Sequence, residues 1–210
     1  NNAVLVLAGD FEAETAKKLV KTYFNYIPKG AEIDRNVIKE DPILEALTGE
    51  AFDKNIQIPA IFTAYRIPEK TSRDSKVLDM ISSYLSDGKS SKLYRKLVDE
   101  KKMSLEVAAF NISLEDYGVY VILSLPVGEN SLLALRDEID LEIDKIQKEL
   151  ISEKDYEKLL NKFESQFVNS NSTVEGIANS LAEYYTFYGD TNLINSEIDI
   201  YRSITREEIR

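Results

Sequence analysis

The stretch DGKSSK, from Asp87 to Lys92, sets hydroxyls and ammonium groups beside a glycine. Such a pattern could cradle a phosphate, grip a peptide, or turn the chain into a helix. A phosphate loop needs a second glycine five positions before Gly88, where Ser83 stands, and a buried strand where the periodicity predicts a helix. The plainer reading is a helix-breaking turn in which Ser90 or Ser91 caps the helix that follows. The densest run of carboxylates lies from Asp137 to Glu149. Ile139, Ile143 and Ile146 fall at helical spacing there, which puts the acids on the opposite, solvated face, and no turn glycine or calcium-loop spacing accompanies them. The chain has no His and no Cys, so imidazole zinc sites, Ser-His-Asp triads, thiolate chemistry and disulfides are all closed to it. No catalytic and no metal-binding residue is therefore expected within it.

Charge narrows the partners further. With 26 basic and 37 acidic residues, a net charge of −11, the average field repels nucleic acid and anionic membranes. No apolar run is long enough to span a bilayer, and the longest, Val119 to Val127, reads as a buried strand, so membrane insertion is not expected. Hydrophobic residues make up 43% of 210, enough for a sizeable core.

The elements that must carry these groups can be read from periodicity. AVLVLAG (Ala3 to Gly9) has the pattern of a buried strand, followed by a helix capped by Asp10 with Ala16, Leu19, Val20, Tyr23 and Phe24 as its apolar stripe. The pattern then fades into a linker from about residue 31 to residue 54. IQIPAIFTAYRIP (Ile56 to Pro68) alternates as a strand, with Pro59 suggesting an edge or a bulge. A helix from Ser72 to Leu85 follows, burying Val77, Leu78, Ile81 and Leu85. Beyond the DGKSSK turn, Leu93, Leu97 and Val98 give a further helix an apolar side. LEVAAFNIS and GVYVILSLPV then form a hairpin. The remainder is helical: Asn130 to Leu150, a helix begun by the Ser152 and Asp155 capping pair, one from Val174 to Tyr185, and one from Leu193 to Tyr201. TREE (Thr205 to Glu208) is a capping box with almost no chain left to run, which suggests a piece of a longer protein.

Three stretches together resemble one family in order and spacing. NNAVLVLAGDFEAETAKKLVKTYFNYIPKG is similar to the strand and helix that close the first domain of the insulinase-type (pitrilysin, inverzincin) zinc peptidases. YLSDGKSSKLYRKLVDEKKMS resembles a second-domain stretch that usually reads L-G-x-G-x-S-S-R-L-F-x-x-V-R-E-K-R-G-L-A-Y. The tail, with FVNSNSTVEGIANSLAEYYTFYGD and SITREEI, is similar as well. The resemblance implies an α+β fold, a two-layer sandwich of helices on a mostly antiparallel sheet, as in the mitochondrial-processing-peptidase-like metallohydrolases. Residues 1–30 would end the zinc-site domain, 31–54 would link, and 55–210 would form the inactive C-terminal peptidase-like domain, truncated at its end.

The family's zinc is held by H-x-x-E-H in the preceding domain, so zinc is expected in the parent protein and no cofactor in this segment. The resemblance implies a non-catalytic domain of a zinc endopeptidase, forming part of the chamber wall and supporting peptide binding and assembly. Its partners would be the upstream catalytic domain, a second family chain or half, and peptide substrate. The alternative is a zinc-free structural or assembly subunit. Relatives are often exported, so an extracytoplasmic, periplasmic setting is favoured. Members that complete an active site from the opposite half carry an Arg and a Tyr seven residues apart, and those positions fall here on Val98 and Leu105. Neither side chain can donate a hydrogen bond, so no substrate role is expected of them, and packing is the better account of both. Lys89, Ser90, Ser91 and Lys92 are the candidate substrate-facing residues, with the two lysines either meeting acidic substrate or simply solvated. The family's second domain continues into a further strand, which implies a vacant sheet edge that Ala3 to Leu7 would fill, within one chain or by swapping between two.

Overall fold

The computed structural model describes residues 3–33 and 41–210. In chain order they form α1 (Ala13–Phe24), β1 (Ile61–Pro68), α2 (Arg73–Ser86), a π-helical segment (Tyr94–Glu100), β2 (Ser104–Ser113), β3 (Tyr117–Pro126), α3 (Leu132–Lys148), α4 (Glu153–Ser170), α5 (Val174–Tyr188), a 3₁₀ turn (Thr191–Asn195), α6 (Glu197–Ser203) and α7 (Arg206–Ile209). They divide into two compact units, one of residues 3–33 and 166–196, the other of 41–165 and 197–210.

The larger unit is α+β. Its strands pair antiparallel in the order β1-β3-β2, with Tyr65 opposite Tyr120 and Ser113 opposite Gly118. Gly118 closes the hairpin because a Cβ there would stand 2.7 Å from the Ile112 carbonyl oxygen and 2.9 Å from Ile67 Cγ1. Tyr120, Ile122 and Ser124 alternate into the core from β3, as a strand with one buried face requires. Two apolar clusters meet on α2. Leu85 joins Leu93, Leu97, Val107, Ile122, Leu135 and Ile139 beneath the sheet, whereas Val77 and Met80 pack with Ile151, Leu159, Ile204 and Ile209.

Polar side chains fasten α2 at both ends. Ser72 caps its start by accepting from the Asp74 N–H at 3.1 Å. Ser86 near its end accepts from the Ala109 N–H at 2.7 Å and donates to the Ala109 carbonyl, so one hydroxyl satisfies both backbone groups of an edge-strand residue. The expected capping box is formed, with Thr205 Oγ1 taking the Glu208 N–H and the Glu208 carboxylate taking the Thr205 N–H at 2.7 Å. Ser152 likewise accepts from the Asp155 N–H at 3.1 Å and donates to its carboxylate.

In the smaller unit, α5 starts on Thr173, which accepts from the Gly176 N–H, and stops at Gly189, whose φ of 68° is the left-handed closure that glycine makes without strain. Tyr184 is its buried residue and meets Tyr188 edge-on, with ring centroids 6.4 Å apart.

Several expectations are corrected. Residues 3–8 form no strand, so Ala3 to Leu7 does not fill a sheet edge within its own chain. Asp10 does not cap α1, whose N-cap is Glu12 without a side-chain bond. β1 starts at Ile61 rather than Ile56, after the proline that removes a ladder donor. The helix read from Leu193 to Tyr201 is a 3₁₀ turn and α6, divided at Ser196. The span expected to link, 31–54, falls partly on 34–40, outside the described residues, and 41–54 form neither helix nor strand.

Candidate functional site

The DGKSSK turn opens onto a cleft of the larger unit. Ser83, Tyr84 and Asp87 line it from the end of α2, Ser90, Ser91 and Lys92 from the turn, and Asp155, Lys158, Leu159 and Lys162 from α4. The α4 residues reach it together because the spacing i, i+3, i+4, i+7 places them on one helix face. Its enclosed volume is about 20 Å³, room for one water-sized group.

Charge in the cleft is arranged in pairs with one left over. Lys92 Nζ lies 3.0 Å from Asp155 Oδ2 and 5.0 Å from the centre of the Tyr84 ring, a cation over an aromatic face. Burial opposes charge on Lys92, but the Asp155 carboxylate and Tyr84 outweigh it and hold the ammonium's pKa above its ordinary value. Burial also works against the Asp155 carboxylate, and hydrogen bonds from Lys92 and Ser152 overcome it and lower its pKa. Burial raises the Tyr84 phenol. Lys162 pairs with Asp87. Lys158 donates to Ser90 Oγ and has no carboxylate in an ion pair among the described residues.

Three of the four sequence candidates, Ser90, Ser91 and Lys92, are brought together here, and Lys89 stays exposed outside the lining. Neither serine caps the following helix. Ser90 Oγ takes Lys158, and Ser91, only 3% exposed, keeps an Oγ with no hydrogen-bond partner, as does Ser83. Lys158 and Lys162 carry no local mark of belonging to this site, because α4 lies more than sixty residues downstream and only the three-dimensional fold joins it to the turn.

The Val98 and Leu105 positions separate. Val98 is half-buried against the cluster beneath the sheet, which accords with packing. Leu105 is 52% exposed, at a register shift between Ser104 and Glu106, so packing does not account for it. The bulge turns its side chain out while Ser104 goes in, where its hydroxyl meets Ser124 Oγ at 2.8 Å and the Leu125 carbonyl at 2.9 Å. The intervening helix is wound as a π-helix, closing with Lys101 N–H on Lys96 O and widening the phase between the two positions.

The sequence has no His or Cys, and no group of three or more potential metal-ligating side chains occurs among the described residues. No helix among them is long and apolar enough to cross a membrane.

A helix layer on a three-stranded antiparallel sheet makes the larger unit an α+β domain. Residues 1–163 match the model of the peptidase M16 inactive domain, and the chain belongs to that family. It is similar to the zinc protease PqqE of Helicobacter pylori, with 25% identity over 185 residues, 87% of this chain and 42% of the relative. Among solved structures, a protease from Helicobacter pylori superposes with a TM-score of 0.87 at 20% identity, over 96% of this chain and 49% of that one. The periplasmic protease PqqL of Escherichia coli superposes with a TM-score of 0.69 at 15% identity, over 96% of this chain and 22% of that one. The chain thus spans less than half the length of each of these relatives.

Proposed function

We propose that this chain is the non-catalytic domain of a zinc-dependent endopeptidase, forming part of the wall of its proteolytic chamber and supporting peptide binding and assembly. The observation that carries the reading is a match to the inactive-domain family over residues 1–163, in a chain that covers 42% of a relative named a zinc protease. Zinc would be held by the upstream domain of the same chain, and a second family chain or half would supply the facing wall. An extracytoplasmic setting accords with a similar protein described as periplasmic. One observation favours a second reading, a zinc-free assembly subunit: Val98 and Leu105 cannot donate to a substrate carbonyl.

The test is zinc content and cleavage of a quenched fluorogenic peptide by the full-length protein, with and without a neighbouring family chain. Stoichiometric zinc, with cleavage that rises when the partner is added, supports the chamber reading. Full-length protein that binds no zinc and cleaves nothing with the partner present would overturn it in favour of assembly.

A further inference from the structure

The cleft between the DGKSSK turn and α4 holds more donors than it uses. Its ionised groups are Lys92, Lys158, Lys162, Asp87 and Asp155, three positive and two negative, in a chain whose overall charge is −11. The two carboxylates are each engaged by a lysine, and Lys158 is the cation left over among the described residues. Its ammonium has three N–H bonds and one named acceptor, Ser90 Oγ. Beside it, Ser91 is 3% exposed and its Oγ has no partner, and the Ser83 Oγ is also buried without one. Buried hydroxyls are normally satisfied, so two of them around one small opening ask for a ligand.

We infer that this cleft binds an oxyanion, seating one terminal oxygen among Lys158, Ser83 and Ser91 while the body of the anion stays at the mouth. Size accords with this, since about 20 Å³ within the cleft admits an oxygen-sized group. Charge selects the sign, because a cation would meet a surplus ammonium and an anion is met by it. The shared chemistry has two sources, a free inorganic oxyanion such as phosphate or the carboxylate of an acidic peptide. The inference does not depend on the chamber reading, since it concerns binding at one site of the chain.

The full-length protein is titrated with inorganic phosphate at constant ionic strength, followed by phosphorus line width and by calorimetry, in the wild type and in Lys158→Gln, Lys158→Arg and Ser91→Ala. Saturable binding is expected. Lys158→Gln should weaken it about tenfold or more, the value of one lost charge-assisted hydrogen bond, and Lys158→Arg should retain most of it. Ser91→Ala should weaken it several-fold with unchanged circular dichroism. Competition by a peptide with a free acidic end, and none by its amidated neutral counterpart, assigns the carboxylate as the source. Binding of phosphate without peptide competition assigns a free anion. Absence of saturable binding by both, or equal binding by Lys158→Gln and wild type, overturns the inference and leaves the cleft to water. Zinc content and cleavage are untouched by that outcome, so failure here is distinct from failure of the chamber reading.

Discussion

Arg73 at the start of α2 should hold the end of the chain in place, in a pH-dependent way. Its Nε lies 2.5 Å from Glu208 Oε1 and its Nη2 3.1 Å from Oε2, a two-pronged pair, and its guanidinium also donates to the Ser203 hydroxyl at 3.0 Å and the Ser203 carbonyl at 2.9 Å. Glu208 is in addition the capping-box carboxylate of α7, so one arginine ties α2 to both α6 and α7. The hydrogen bond from Arg73, with the Thr205 N–H second, lowers the Glu208 pKa from 4.5 to about 2. Both partners keep a third or more of their side chains in water, so screening sets the scale. An exposed pair contributes up to about 1 kcal/mol, and the bidentate, charge-assisted geometry raises this to about 1.5 kcal/mol. For a chain of this size that is a fall in Tm of about 3–6 °C for Arg73→Gln near neutral pH. The sign follows from the lowered pKa: the stabilisation is present above the ordinary carboxylate value and is lost as pH falls toward about 2. The gap between thermal melts of wild type and Arg73→Gln should therefore narrow from pH 7 down to pH 2, leaving only what the bonds to Ser203 contribute. A deficit of equal size at pH 7 and pH 2 would refute the electrostatic account and leave the Ser203 bonds and the packing of the arginine stem.

Two further substitutions separate Val98 from Leu105. Val98→Arg should cost about 1–2 kcal/mol, because Val98 packs against the apolar cluster, and Leu105→Tyr should lie within about 0.5 kcal/mol of wild type on an exposed bulge; urea midpoints check both, and equal costs would contradict their placement. Gly176→Ala should destabilise by about 2 kcal/mol or more despite the better helix propensity of alanine, since its Cβ would collide with the Ser170 carbonyl oxygen and only backbone movement can relieve that; increased hydrogen exchange across α5 would report it, and a stabilised variant would refute the close approach.

What could be read from the sequence follows from how local each determinant is. The Ser152 and Asp155 pair and the Thr205 capping box each involve residues within four positions, and both are formed. The hairpin of β2 and β3 was legible for the same reason, because alternation and a short turn specify it. Ala3 to Gly9 shows the opposite case. Its apolar run is a strand only if another strand accepts its backbone, and that condition is not written in the run itself. The π-winding from Tyr94 to Glu100 and the bulge at Leu105 also escaped, since both adjust a local pattern to the positions of Leu93, Leu97 and Ser104 in the core.

The serines of the DGKSSK turn connect this limit to function. Local rules assign Ser90 or Ser91 to capping, as they correctly assign Ser152 and Thr205. Here the rule fails although the residues and the position suit it, because α4 brings Lys158 to Ser90 and covers Ser91. A local preference overridden without an internal partner to replace it is more informative than one obeyed, since agreement between levels is what stability alone would select. At Val98 and Leu105 the fold has moved the other way, to one half-buried and one exposed apolar side chain with no donor between them. The donors that this region has left for a ligand therefore lie on the turn and on α4, and substitution at Lys158 and Ser91 is where contact with that ligand should be sought.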